Sequence, residues 1–152
     1  YGASKLLMER LFTQFEKTYP DIMFRIVRYG NVLYSTGSVL CIWKNLIKQG
    51  KEVIVTEPKA TRFFWNVEQA IDLIFDCFHN AKDSTPYCPD MKSMRIDDLL
   101  QAMVVKYGDG KEIPIKVIGL QPGENLHEKV LEEGLASNEV EHFTVEEIME
   151  LI

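Results

Sequence analysis

A helix-spaced apolar stripe, one proline and an unbroken β-prone run succeed one another within the first 29 residues. Leu7, Leu11 and Phe15 recur every four positions, with Met8 and Phe12 widening the stripe, so residues 3–19 read as an amphipathic helix. Pro20 ends it. Residues 22–29 (Ile-Met-Phe-Arg-Ile-Val-Arg-Tyr) are strongly β-prone, and their continuous apolar character suits a strand covered on both faces. A helix that returns through a short turn into such a strand is an α/β unit. Most of the stripe is expected to face a core. A stripe this wide could instead pack against the same helix of another subunit.

The rest of the chain repeats the alternation. Gly30-Asn31-Val32 and the polar loop Tyr34-Ser35-Thr36-Gly37-Ser38 follow the strand. Open α/β sheets bind ligands at the carboxyl ends of their strands, which makes this loop a candidate site. Gly30 permits close backbone approach, and Asn31 offers both a donor and an acceptor. Ser38 is placed to cap a helix over residues 39–49, closed by Gly50. Short strands are expected at 53–56 and 61–65, the second carrying Arg62. Asn66 is placed to cap a helix over 67–79 with Ala70, Ile71, Ile74 and Phe78 as its apolar face. A helix over 97–107, an edge strand over 113–118 containing Pro114, a short helix over 126–135 and a closing helix from Val145 complete the reading.

Composition narrows the class. The chain has 152 residues, 46% of them hydrophobic, enough for a sizeable core. A net charge of -6 argues against a nucleic-acid surface. Cys41, Cys77 and Cys88 are odd in number and lack CxxC spacing, so buried free thiols in a reducing, cytoplasmic setting are expected. No apolar run approaches the roughly 18 residues that span a bilayer. No metal-ligand cluster is apparent.

The chain opens Tyr1-Gly2-Ala3-Ser4-Lys5. On a helix, positions i and i+4 share a face. A lysine ammonium one turn from a phenol favours the phenolate and lowers its pKa from about 10. The pair then makes a proton-transfer group. Standing alone, the spacing is weak evidence.

Five motifs in one order are more specific: Tyr1-x-x-x-Lys5; Arg28-Tyr29-Gly30-Asn31-Val32; Gly37-Ser38-Val39; Thr61-Arg62-Phe63; and Pro122-Gly123-Glu124-x-Leu126-His127-Glu128. The series resembles the extended short-chain dehydrogenase/reductase superfamily, and within it the inverting UDP-N-acetylglucosamine 4,6-dehydratases of the polysaccharide biosynthesis family. The resemblance implies an α/β fold: the C-terminal part of a Rossmann-like domain plus a small mixed α/β substrate-binding subdomain. Residues 1–56 would end the Rossmann-like domain and residues 57–152 would form mainly the substrate subdomain. The cofactor-binding half is expected to lie outside these residues.

The resemblance also implies roles. Tyr1 would exchange the proton of the sugar 4-hydroxyl, and Lys5 would lower its pKa and bind the nicotinamide ribose. Tyr29, Gly30 and Val32 would line the cofactor, NADP or alternatively NAD. Asn31, Ser38, Val39, Arg62, Gln121 and Glu124 would bind the nucleotide sugar, with Asn31 and Arg62 at the phosphates and Glu124 at the uridine ribose. A cytoplasmic homo-oligomer without membrane or nucleic-acid partners is implied.

Departures from the family pattern cluster at the expected anion site. Gln121 stands where relatives usually have arginine, and Asn125 where they usually have lysine. The loop at residues 34–39 lacks one Gly and one Arg of the usual pattern, and Cys41 replaces a Pro. The Gly-rich phosphate loop and the Asp-Lys pair upstream of the tyrosine are not in this sequence. A 4-epimerase or reductase of the same superfamily, or a non-catalytic sugar-nucleotide-binding homologue, remain as alternatives.

Overall fold

The structure is a computed structural model that describes residues 2–152; Tyr1, the expected proton-transfer residue, lies outside the described residues. The elements in order are α1 (Gly2–Thr18), β1 (Asn31–Val32), α2 (Val39–Lys48), β2 (Val53–Val55), β3 (Thr61–Trp65), α3 (Val67–Asn80), β4 (Ser93–Arg95), α4 (Ile96–Tyr107), β5 (Ile115–Val117) and α5 (Val145–Leu151). The chain divides into two compact units. One holds the residues up to Tyr29 with Glu68–Pro89; the other holds Gly30–Val67 with Asp90–Ile152.

In the first unit, α1 runs where its stripe predicts, but none of its described residues is buried. Leu7 is 60% exposed and Leu11 45%. The core-facing expectation for the stripe is therefore corrected; Phe12 and Phe15 meet Phe24 at ring separations of 5.9 Å. Glu9 holds Arg28 through two bonds of 2.9 and 2.6 Å, and Glu16 holds Arg25 and Ser84.

The expected strand over 22–29 is also corrected. Only a short parallel pairing forms, with Tyr87 N–H donating to the Ile26 carbonyl and Arg28 N–H to the Tyr87 carbonyl. A β-prone run becomes a strand only where a neighbour supplies a ladder, and among the described residues Tyr87 is the partner. In α3 the buried positions are Ala70, Leu73 and Cys77. The expected face shares only Ala70 with that set; Ile71, Ile74 and Phe78 are exposed. Of the three free thiols expected to be buried, Cys77 is, while Cys41 and Cys88 are only half-buried.

The second unit carries the larger core. Leu40, Trp43 and Ile47 from α2 meet Val53 and Val55 from β2, Phe64 and Met94 from the sheet, Leu99 and Met103 from α4, and Ile148 from α5. The i, i+3, i+7 spacing of Leu40, Trp43 and Ile47 turns one stripe of α2 inward. Trp43 satisfies its indole by donating to the Ile54 carbonyl at 3.1 Å.

β1 pairs parallel to β3, with Asn31 opposite Phe64 and Val32 opposite Trp65. β3 pairs antiparallel to β4. β2 pairs parallel to β5, and the carbonyl of Pro114, just before β5, accepts from Val53 N–H. The close pairing of β1 explains Gly30: a Cβ there would lie 2.4 Å from the Phe63 carbonyl oxygen.

Residues 126–135 are not the expected helix. His127 bridges parallel to Thr61, and Lys129 bridges to Ala136. The Leu126 carbonyl accepts from Thr61 N–H at 3.0 Å, so this backbone bonds outward to β3 and cannot close helical turns on itself.

Candidate functional site

The second unit contains a pocket of about 390 Å³. Leu40, Trp43, Val55, Phe64 and Ile96 give it apolar walls, while Asn31, Ser35, Ser38, Thr56, Arg62 and Glu124 supply polar groups. Apolar walls with a few convergent polar groups are the ordinary make-up of a small-molecule site. Six of the residues singled out in the sequence line it: Asn31, Val32, Ser38, Val39, Arg62 and Glu124. They come from β1, the start of α2, β3 and the loop after β5, so the sheet register and the α2 packing bring them together.

The remaining described candidates are not among its lining residues. Lys5 is exposed in the first turn of α1, and Tyr29 is exposed at the end of the same unit's chain segment. Gly30 backs onto Phe63. Gln121 does not line the pocket; its backbone N–H donates to Glu124 Oε2 at 2.9 Å, and its side-chain amide donates to the Gly119 carbonyl. Ser38 begins α2 as expected, yet its hydroxyl makes no capping bond and turns toward Cys41 Sγ.

Arg62 is the basic side chain of the pocket lining, and much of its fork is already engaged. Nη1 donates to the Thr61 and Leu126 carbonyls at 2.8 and 3.0 Å, and Nη2 to the Asn125 carbonyl at 2.7 Å. Nε lies 3.5 Å from Glu128 Oε1. The guanidinium thus clips the segment 125–128 to β3, and the second N–H of Nη2 is not engaged among the described residues.

Sequence reasoning gave Glu128 no role. Its carboxylate accepts from Asn31 Nδ2 at 3.3 and 3.2 Å and from Phe63 N–H at 3.1 Å. Its own N–H donates to Ser137 Oγ, on a fully buried side chain. Ser137 Oγ and Thr61 Oγ1 lie 2.6 Å apart, and Thr61 Oγ1 meets His127 Nδ1 at 2.8 Å. The Pro122-to-Glu128 motif held the signal, because its two last polar residues, His127 and Glu128, both reach back to β3.

Comparison with known proteins places this arrangement. The family described as "Polysaccharide biosynthesis protein" matches residues 1–150. An uncharacterized membrane protein of Methanocaldococcus jannaschii is 39% identical over 86% of this chain and 41% of its own length. The inverting UDP-N-acetylglucosamine 4,6-dehydratase of Campylobacter jejuni is 32% identical over 96% of this chain and 41% of its own. A UDP-glucose 4-epimerase of Rickettsia akari is 32% identical over 86% and 38%. The chain spans about two fifths of the length of these relatives. Among solved structures, that of Pen from Bacillus thuringiensis superposes with a TM-score of 0.88 at 28% identity, covering 100% of this chain and 56% of that one. The α/β order with parallel pairs matches the Rossmann-like fold of short-chain dehydrogenase/reductase enzymes. By family match and by fold, the chain belongs to the polysaccharide biosynthesis protein family of the extended short-chain dehydrogenases/reductases, related to enzymes that modify nucleotide sugars.

Proposed function

We propose that the protein is a nucleotide-sugar 4,6-dehydratase of the UDP-N-acetylglucosamine type, with inversion at carbon 5, serving glycan precursor synthesis in the cytoplasm as a homo-oligomer. One observation carries the reading: Asn31, Ser38, Val39, Arg62 and Glu124, chosen from motifs spread over the sequence, line one pocket. Its volume of about 390 Å³ suits part of a nucleotide sugar.

In this reading Arg62 meets the diphosphate with the second N–H of Nη2, as a planar guanidinium suits phosphate oxygens. Glu124 accepts from ribose hydroxyls. Tyr1 takes the proton of the sugar 4-hydroxyl, and Lys5 favours its phenolate. A nicotinamide, NADP or alternatively NAD, would supply the transient hydride acceptor. In this reading Lys5 and Tyr29, both exposed, would hold its ribose and its ring. With carbon 4 oxidised, the carbon 5 proton would be acidic enough for water to leave across carbons 5 and 6, and the reduced nicotinamide would supply the hydride for carbon 6.

The test incubates the intact protein with UDP-N-acetylglucosamine and follows the product by mass spectrometry and proton NMR. Loss of one water with a 4-keto-6-deoxy product, abolished by Tyr1→Phe, is the expected result. An isomer of unchanged mass would replace this reading with a 4-epimerase.

A further inference from the structure

The Asn31 side chain has one chemically acceptable orientation. Nδ2 lies 3.1 Å from the Phe63 carbonyl oxygen and 3.3 and 3.2 Å from the two carboxylate oxygens of Glu128. A primary amide nitrogen has two N–H groups, one for the carbonyl and one for the carboxylate. The flipped amide would set Oδ1 against three acceptor oxygens, so the surrounding bonds settle the assignment. Among the described residues both donors are then spent inside the protein, which leaves Oδ1 as the amide atom available to a ligand in the pocket that Asn31 lines. An amide held this way repels a phosphate oxygen and accepts from a ligand O–H or N–H.

Glu128 imposes the orientation. Its carboxylate also accepts from Phe63 N–H at 3.1 Å and lies 3.5 Å from Arg62 Nε. Its backbone N–H is fixed by the buried Ser137 hydroxyl at 2.8 Å. We infer that Glu128 is a positioning residue that locks Asn31 as a hydrogen-bond acceptor, so that Asn31 selects a hydroxyl or amide group of the ligand and leaves the phosphates to Arg62. The ligand half of this inference rests on the nucleotide-sugar reading; the lock between Glu128 and Asn31 does not.

Two measurements on the intact protein test it. First, the ligand-free protein labelled with 15N-asparagine is examined by NMR, the Asn31 side-chain signals being assigned by their loss in Asn31→Ala. Wild type should show slowly exchanging, displaced amide protons that return to ordinary positions in Glu128→Gln. Freely exchanging protons unmoved by Glu128→Gln would overturn the lock. Second, calorimetry with UDP-N-acetylglucosamine should find binding weakened about tenfold by Glu128→Gln, because an amide free to turn no longer presents a fixed acceptor. Asn31→Ala should lose as much, and the double variant little more, since Glu128 acts through Asn31. Additive losses would mean that Glu128 only supports the fold. Tighter binding in Glu128→Gln would mean that the carboxylate merely opposes an anionic ligand, which also overturns the inference. Absent binding by wild type, with the NMR signature intact, would refute the nucleotide-sugar reading and leave the lock standing.

Discussion

The Tyr34 hydroxyl lies 2.8 Å from the Tyr107 hydroxyl, tying the loop after β1 to the end of α4 across 73 positions of sequence. Tyr34 adopts a left-handed backbone at φ 57°, and the loop it anchors supplies Ser35 and Ser38 to the pocket. Lys44 Nζ stands 4.9 Å from the centre of the Tyr34 ring and 4.6 Å from that of Tyr107.

The two phenols should titrate apart. Burial and the bond to Tyr107 push Tyr34 well above the ordinary tyrosine value. Burial alone would raise Tyr107 too, but its bonds to Tyr34 and Lys44 outweigh that and hold it lower. Its folded pKa is depressed, so its ionisation stabilises the folded protein as pH rises toward the ordinary tyrosine value of about 10, and that contribution vanishes below the depressed value. Absorbance titration at alkaline pH should show an early tyrosine step that Tyr107→Phe removes. The same variant should cost about 1 kcal/mol in denaturant unfolding, from the lost hydroxyl pair.

Gly30 and Gly123 should respond differently to alanine. At Gly30 a Cβ meets backbone of Phe63 at 2.4 Å, and neither strand can yield without breaking the β1–β3 pairing. Gly30→Ala should cost at least ~2 kcal/mol or prevent folding. At Gly123, φ is +89° and nothing lies within 4 Å, so Gly123→Ala meets backbone strain alone, about 1 kcal/mol. Thermal melts of the two variants make the comparison.

Arg62 should be irreplaceable by lysine. Its two Nη groups hold the Thr61, Leu126 and Asn125 carbonyls together. An ammonium keeps the charge but cannot span three acceptors with a planar fork. Limited proteolysis should cut residues 121–128 faster in Arg62→Lys as well as in Arg62→Ala. Unchanged digestion in Arg62→Lys would show that charge alone holds the segment.

The last helix depends on its cap. Thr144 Oγ1 accepts from Glu147 N–H at 3.2 Å while Glu147 Oε2 accepts from Thr144 N–H at 2.8 Å. Thr144→Ala should destabilise the protein by about 1 kcal/mol. The Thr144 N–H, followed by Lys92, holds the Glu147 carboxyl below its ordinary value. A depressed carboxylate contributes stability above its unfolded pKa and loses it as pH falls through the folded one. Acid unfolding monitored by circular dichroism should therefore begin at higher pH in Glu147→Gln than in wild type.

What could be read from the sequence was local. Residues 39–49 between Ser38 and Gly50 announce α2, Thr61–Trp65 announces β3 by residue type, and alternation of the two announces an α/β fold. Spacing reports what a segment prefers by itself. It placed an apolar face on α3 but not the stripe that is buried, Ala70, Leu73 and Cys77, because a partner surface makes that choice. It offered a helix at 126–135, where the register between Thr61 and His127 draws the backbone outward to β3. The motifs named Asn31 and Arg62 as polar candidates, and their chemistry alone left each free to donate to a ligand. Only the fold, by setting Glu128 beside both, decided which of their atoms are spent inside the protein. The partner lies 97 positions from Asn31, and a hydrogen bond across that distance is fixed by strand register, which no local preference encodes.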